Sequence, residues 1–197
     1  MHNNQTMEHE KMNIEFDFDT SKQLYNAVRG LVIRTAISRW TDYVQITLKD
    51  DYRFEILVCD SQILYGINAG ASGDIGGWKI GDSKFFKLDA KAFDNAKNPV
   101  KITDEGLIIG EKVLPFLKDD NVLRCFSAIL YKRIPAQCGH YIPRFSTTYM
   151  KRAERFLGAQ EFALCTICQP QDEPYLPALI YNNNVGRQFV ILMPMKI

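Results

Sequence analysis

Four residues of this 197-residue chain carry the chemistry of a zinc site: Cys138 and His140, one residue apart, and Cys165 and Cys168, at the C-x-x-C spacing of a zinc knuckle. Thiolates and an imidazole in that number suit a tetrahedral ion. The residues between the second pair argue otherwise. Thr166 and Ile167 form a β-branched pair with no Gly or Pro to make the tight turn that a knuckle needs. The stretch FALCTICQP alternates like a strand, where positions three apart face opposite sides. Its cysteines then act as small hydrophobic side chains. The proline before C-x-x-C and the His-x-Glu of a zinc deaminase are both missing. A small zinc-binding or nucleotide-handling enzyme stays open as an alternative.

Other chemical constellations are weaker. The stretch GASGDIGG has the glycine density of a phosphate loop, but no Gly-Lys-Ser/Thr follows it and no helix pattern begins there, so a flexible connection is expected. His140 is the one histidine outside the N-terminal stretch, and no serine or cysteine motif joins it as a triad. Isolated carboxylates such as Asp60 cannot be paired by spacing. A non-catalytic protein is therefore the leading expectation.

Two amphipathic helices are more informative. In TSKQLYNAVRGLVIR, with Thr20 as the expected cap, Leu24, Ala27, Val28, Leu31 and Val32 share one face, and Lys22, Asn26 and Arg29 lie on the other. In STTYMKRAERFLG, opened by Ser146 and Thr147 and stopped by Gly158, the apolar stripe is Tyr149, Met150, Ala153, Phe156 and Leu157. Lys151, Arg152 and Arg155 occupy its outer side, with Glu154 in partial compensation. Such a face is often only solvated. Two basic helix faces together, however, offer the residue types that neutralise phosphates without reading sequence.

The elements around these helices are strands. IEFDF, YVQITLKDDYRFEILVCD with its turn at Lys49-Asp50-Asp51, QILYGINA, KFFKLD, VKITDEGLIIGEKVLPF, RCFSAILYKRIP, ALIY and QFVILM all have strand character, and DAKAFDNAK reads as a short helical piece. This order predicts an α+β fold, with helices on one face of antiparallel sheet. Residues 1–12 read as a disordered leader. The 24 Lys and Arg nearly cancel the 23 Asp and Glu, so any anionic partner must meet a local patch. No apolar run reaches the roughly 18 residues that span a bilayer, and no signal-peptide core precedes Asn13. Five cysteines without a scaffold spacing fit a reducing compartment, and a cytoplasmic protein with no membrane partner is expected.

The chain closes on FVILMPMKI, preceded by FSTTYMKRAERFLG and PALIYNNN, and this arrangement resembles the last helix, strand and tail of the bacterial DNA polymerase III β subunit, the sliding clamp. The family's ending is a Met-Pro-Met/Val-Arg-hydrophobic signature; here it is Met193, Pro194, Met195, Lys196 and Ile197. Upstream, EFDFDTSKQLYNAVRGLVI is similar to the opening strand and helix of a clamp domain. FEILVCDSQILYG is similar to its strand-turn-strand, KFFKLDAKAFDNAK to its second helix and YKRIP to its exit. The resemblance implies a DNA-clamp-like fold, with a clamp-like domain over residues 13–135 and a partial second one, with the tail, over 136–197. Family subunits have three such domains, so this looks like a shortened member, of the kind a phage or prophage could carry.

The resemblance also implies a function. A clamp-like replication and processivity scaffold would contact duplex DNA without sequence preference through Lys22, Arg29, Lys151, Arg152 and Arg155. It would receive short hydrophobic motifs of polymerase or clamp-loader type proteins in a cleft beside the tail. Carried over residue by residue, the cleft would use Cys59, Gln62, Leu64, Pro135, Ile191, Met193, Pro194 and Met195. The family's Thr and His at the turn are Cys59 and Gln62 here. No catalysis, cofactor or metal is implied, and a homo-oligomer is compatible with it. A clamp-derived adaptor that binds partners without encircling DNA is the other alternative.

Overall fold

The computed structural model describes residues 11–31, 43–50, 52–59, 63–89, 91–117, 145–158, 165–168, 178–182 and 188–192. Residues 1–10 of the leader expected over 1–12, the strand RCFSAILYKRIP, and Asp60, Gln62, Pro135, Cys138, His140, Met193, Pro194 and Met195 lie outside the described residues. Met12, the last residue of that expected leader, is buried in the core, where its apolar side chain leaves water.

β1 (Asn13–Phe16) alternates exposed and buried positions and runs directly into α1 (Phe18–Gly30). Asp17 caps this helix, its Oδ1 accepting the Thr20 N–H at 2.6 Å. The expected cap, Thr20, instead lies inside the first turn and is buried. Asp17 wins because its short carboxylate reaches an orphan N–H while its own backbone stays extended, at φ −64° and ψ 163°. Leu24, Ala27 and Val28 are buried along one side, as helical spacing requires.

β2 (Tyr43–Asp50) and β3 (Arg53–Cys59) form the expected hairpin, with a register irregularity between Leu48 and Asp50 and Tyr52 at φ 62°. β4 (Ile63–Asp74) is longer than its sequence suggests. Gly70 to Asp74, expected as flexible connection, continue the strand because Ala71 to Asp74 pair with β1. Gly73 makes this possible: at φ +105° it adopts a conformation that L side chains rarely reach, and a Cβ there would lie 2.1 Å from the Asn13 carbonyl oxygen.

β5 (Ser83–Lys87) pairs with β2. The stretch DAKAFDNAK, expected as a short helix over residues 89–97, makes turns where it is described: Lys91 N–H donates to Asp89 Oδ1 and Lys97 N–H to Asn95 Oδ1, each at 2.9 Å. β6 (Val100–Thr103), β7 (Gly106–Ile109) and β8 (Lys112–Leu114) form a meander that joins β1 through β6. α2 (Thr147–Leu157) starts after Ser146 and ends at Gly158 in the left-handed conformation, φ 64°, as its sequence predicts. β9 (Cys165–Cys168), β10 (Ala178–Asn182) and β11 (Gln188–Leu192) complete the described chain. CTIC is thus a strand and not a knuckle turn.

All pairings are antiparallel, in the order β5-β2-β3-β4. At β4 the sheet forks. Ile63 to Ile67 pair with β11, which continues to β10 and β9; Ala71 to Asp74 pair with β1, which continues to β6, β7 and β8. α1 and α2 pack side by side over β4, with α2 also against β11. The principal core lies beneath them and runs from Met12 to Leu192, with the Tyr65 and Phe156 rings 4.7 Å apart at its centre. The architecture is α+β, antiparallel sheet with helices on one face. No helix among the described residues is long and apolar enough to cross a membrane.

Candidate functional site

The helix-bearing side carries the five basic residues singled out in the sequence. Lys22 and Arg29, seven positions apart on α1, are exposed. Lys151 and Arg155, four apart on α2, are exposed too, whereas Arg152 is half-buried. Its guanidinium lies over the Tyr149 ring, 5.2 Å from the centroid, and its Nη1 is buried without a hydrogen-bond partner among the described residues. Arg29 sits similarly over Tyr25 at 5.6 Å. Since α1 and α2 are neighbours, the four exposed cations share one side of the molecule, but Arg152 serves the helix as packing as well as charge.

The other face of the sheet carries no helix among the described residues. Strand alternation sends every second side chain there, and the pairing register sorts them into rows. One row is polar: Ser83, Thr47, Glu55 and Asn68 on β5, β2, β3 and β4. The next is mixed: Phe85, Gln45, Leu57, Gly66, Phe189 and Tyr181, crossing from β5 to β10. The third is apolar: Cys59, Leu64, Ile191 and Leu179 on β3, β4, β11 and β10. Leu57, Cys59, Leu64, Phe85 and Ile191 form a second buried cluster, rimmed by half-buried Tyr43, Leu117, Leu179 and Phe189.

Three of the eight expected cleft residues, Cys59, Leu64 and Ile191, are thus side by side on consecutive strands although 132 positions separate the first from the last. Exposed by only 1%, 2% and 4%, they are the floor of this face. The rim is what a partner meets first. Phe189 rests its ring over Gly66, where a Cβ would lie 2.1 Å from the ring. Gln62, Pro135, Met193, Pro194 and Met195 lie outside the described residues. Sequence reasoning misses Phe85, Leu57, Phe189 and Leu179, though Leu57 and Phe189 lie two positions from Cys59 and Ile191, and Leu179 lies across a ladder from Ile191; Phe85, paired with Gln45, has no such neighbour.

Among the described residues no group of three or more His, Cys, Asp or Glu could hold a metal ion.

Neither a protein-family model nor a curated protein matches this sequence. Solved structures do match. A sliding clamp from Bartonella birtlesii, bound to griselimycin, superposes with a TM-score of 0.61 at 13% identity, over 94% of this chain and 66% of that one. The Bacillus subtilis clamp gives 0.57 at 14% identity over 100% and 67%, and the β subunit of the Streptococcus pyogenes DNA polymerase gives 0.58 at 9% over 100% and 68%. The chain has the sliding-clamp fold. It spans about two thirds of the length of those clamps. At such identities the likeness lies in the backbone, so the clamp fold alone is carried over, and residue roles must rest on their own geometry.

Proposed function

We propose that this protein is a non-catalytic scaffold of sliding-clamp type in DNA replication, working in the cytoplasm. Its helix side contacts duplex DNA without sequence preference through Lys22, Arg29, Lys151, Arg152 and Arg155. Its other sheet face receives short hydrophobic motifs of polymerase or clamp-loader type partners, beside the strand that leads into Met193, Pro194 and Met195. Processivity on this reading comes from tethering and raised local concentration rather than chemistry. The observation that supports it is the meeting of Cys59, Leu64 and Ile191 on adjacent strands of a clamp fold, on the face opposite the basic helices.

Apolar side chains of a partner gain roughly 25 cal/mol for each Å² they bury, and half-buried Leu179, Phe189 and Tyr43 provide the surface to bury against. The division at residues 135 and 136 belongs to the same proposal, as a boundary between two clamp-like segments that share one core rather than between two separate cores. Fluorescence anisotropy with a labelled peptide carrying Leu and Phe anchors, and separately with a labelled duplex, tests it. Binding of both is expected. Peptide binding alone would favour the adaptor that no longer holds DNA, and binding of neither would overturn the reading. Stoichiometric zinc lost on Cys165→Ser would favour the enzyme alternative.

A further inference from the structure

Gln45 occupies the mixed row between Phe85 and Leu57, two members of the buried apolar cluster. It is itself only 6% exposed. Its Nε2 donates to Thr47 Oγ1 at 3.1 Å and to Ser83 Oγ at 3.4 Å, and those two hydroxyls are 2.7 Å apart. Its Oε1 is buried with no hydrogen-bond partner among the described residues. Turning the amide over does not cure this: Oε1 would then accept from the hydroxyls and Nε2 would take the orphan's place. One end of the amide lacks a partner either way. Leaving such a group dry costs on the order of a full hydrogen bond's desolvation, so a residue kept here in place of Leu or Met needs a reason.

We propose that the Gln45 side-chain amide is a main-chain anchor for a peptide seated on this face, and so fixes the peptide's register. This rests on the peptide-binding reading above. An extended peptide offers alternating N–H and C=O groups, so it satisfies the orphan whichever way the amide is turned, while its alternate side chains reach the apolar row. The hydroxyl pair of Thr47 and Ser83 holds the amide in place. Gln45 Oε1 is closed off in this structure, so a peptide reaches it as the half-buried rim gives way; Tyr43 of that rim lies two positions before Gln45 on the same strand face.

The test uses the full chain and a fluorescein-labelled peptide with Leu and Phe anchors. Gln45→Leu and the near-isosteric Gln45→Met are expected to unfold at equal or higher urea concentration than wild type, because each removes a buried orphan, and to bind the peptide roughly 2- to 12-fold more weakly. A series of peptides with one main-chain amide at a time replaced by an ester, which removes an N–H donor and weakens the carbonyl beside it as an acceptor, should show a position whose replacement weakens wild type but not Gln45→Met, whichever way the amide is turned. Equal affinity in wild type and Gln45→Met overturns the proposal and leaves the orphan to a buried water. A wild-type chain that binds no peptide overturns the parent reading itself. Should Gln45→Leu fail to fold, Gln45→Met decides; a wild-type ester series with no sensitive position counts against the anchor independently of any variant.

Discussion

Lys84 shows how one side chain ties burial to charge. Its Nζ stands 4.8 Å from the Trp78 ring centroid and 4.3 Å from that of Phe116, with Met12 Sδ at 3.7 Å. Burial pushes its pKa below the ordinary lysine value, against the opposing pull of Asp104 and Asp82. The unfolded chain therefore still holds this proton at pH values where the folded chain has begun to release it. Stability rises with pH wherever the unfolded state binds more protons, so Lys84 adds stability as pH climbs from the lowered folded value towards 10.5 and adds no slope below that window. The aromatic faces favour the cation and keep this slope shallow. Urea midpoints measured from neutral pH to 10.5 should rise more for wild type than for Lys84→Met; parallel curves would show that Lys84 titrates alike in both states. The sequence marks Lys84 only as one charge in KFFKLD. Its surroundings come from Trp78 and Phe116, which alternation cannot bring together. Asp17 is hidden differently: four cap-type residues, Asp17, Asp19, Thr20 and Ser21, stand close together, and only backbone geometry chooses among them.

At the scale of elements, the most legible pieces are those whose signals are local. α2 has Ser146 before it and Gly158 after it, and its stripe of Ala153, Phe156 and Leu157 is buried as spacing demands. The stretch DAKAFDNAK misleads because its Ala and Lys residues favour helix, while Asp89 and Asn95 bend the backbone into side-chain-closed turns that compete with it. Gly70 to Asp74 mislead because glycine density suggests a loop, yet pairing with β1 makes them strand. The charge of α2 yields a prediction of its own. Arg152 packs on Tyr149, so its removal mixes packing with electrostatics; Lys151 and Arg155 are exposed and one turn apart, and give the cleaner pair. Lys151→Ala with Arg155→Ala should leave the fold unchanged and weaken duplex binding without regard to sequence. It should also flatten the dependence of log K on log salt by about 0.9 for each phosphate no longer neutralised. Titrations at several salt concentrations check this, and an unchanged affinity and slope would mean that the helix face is merely solvated.

Across the whole molecule, the fork at β4 decides what depends on what. α2 and β11 come from the last third of the chain, yet they close the same core as β1 to β4, so segments on either side of residue 135 share one interior. No local pattern encodes that closure. Cys59, Leu64 and Ile191 can be grouped from sequence only through a family resemblance, since 64 and 191 meet solely because β11 pairs with β4. The same ladder separates support from function at the end of the chain. β11 is hydrogen-bonded on both sides, to β4 and β10, through Leu192, whose partners are Ile63 and Ala178. Val190 and Leu192 are buried in the principal core. Replacing such a side chain by Ala costs about 2–5 kcal/mol, so a cut before Gln188 would threaten the fold. A cut after Leu192 leaves every described pairing in place, and Pro194 cannot donate to a ladder beyond it. Removal of Met193 to Ile197 is therefore expected to preserve a single cooperative urea transition with a midpoint close to wild type, while peptide affinity falls because one flank of the proposed site, Met193, Pro194 and Met195, has gone. Both quantities are read from one sample. An intact transition with unchanged peptide affinity would take the tail out of the site, and a transition that is lost or split in two would give residues 193–197 a share in the core.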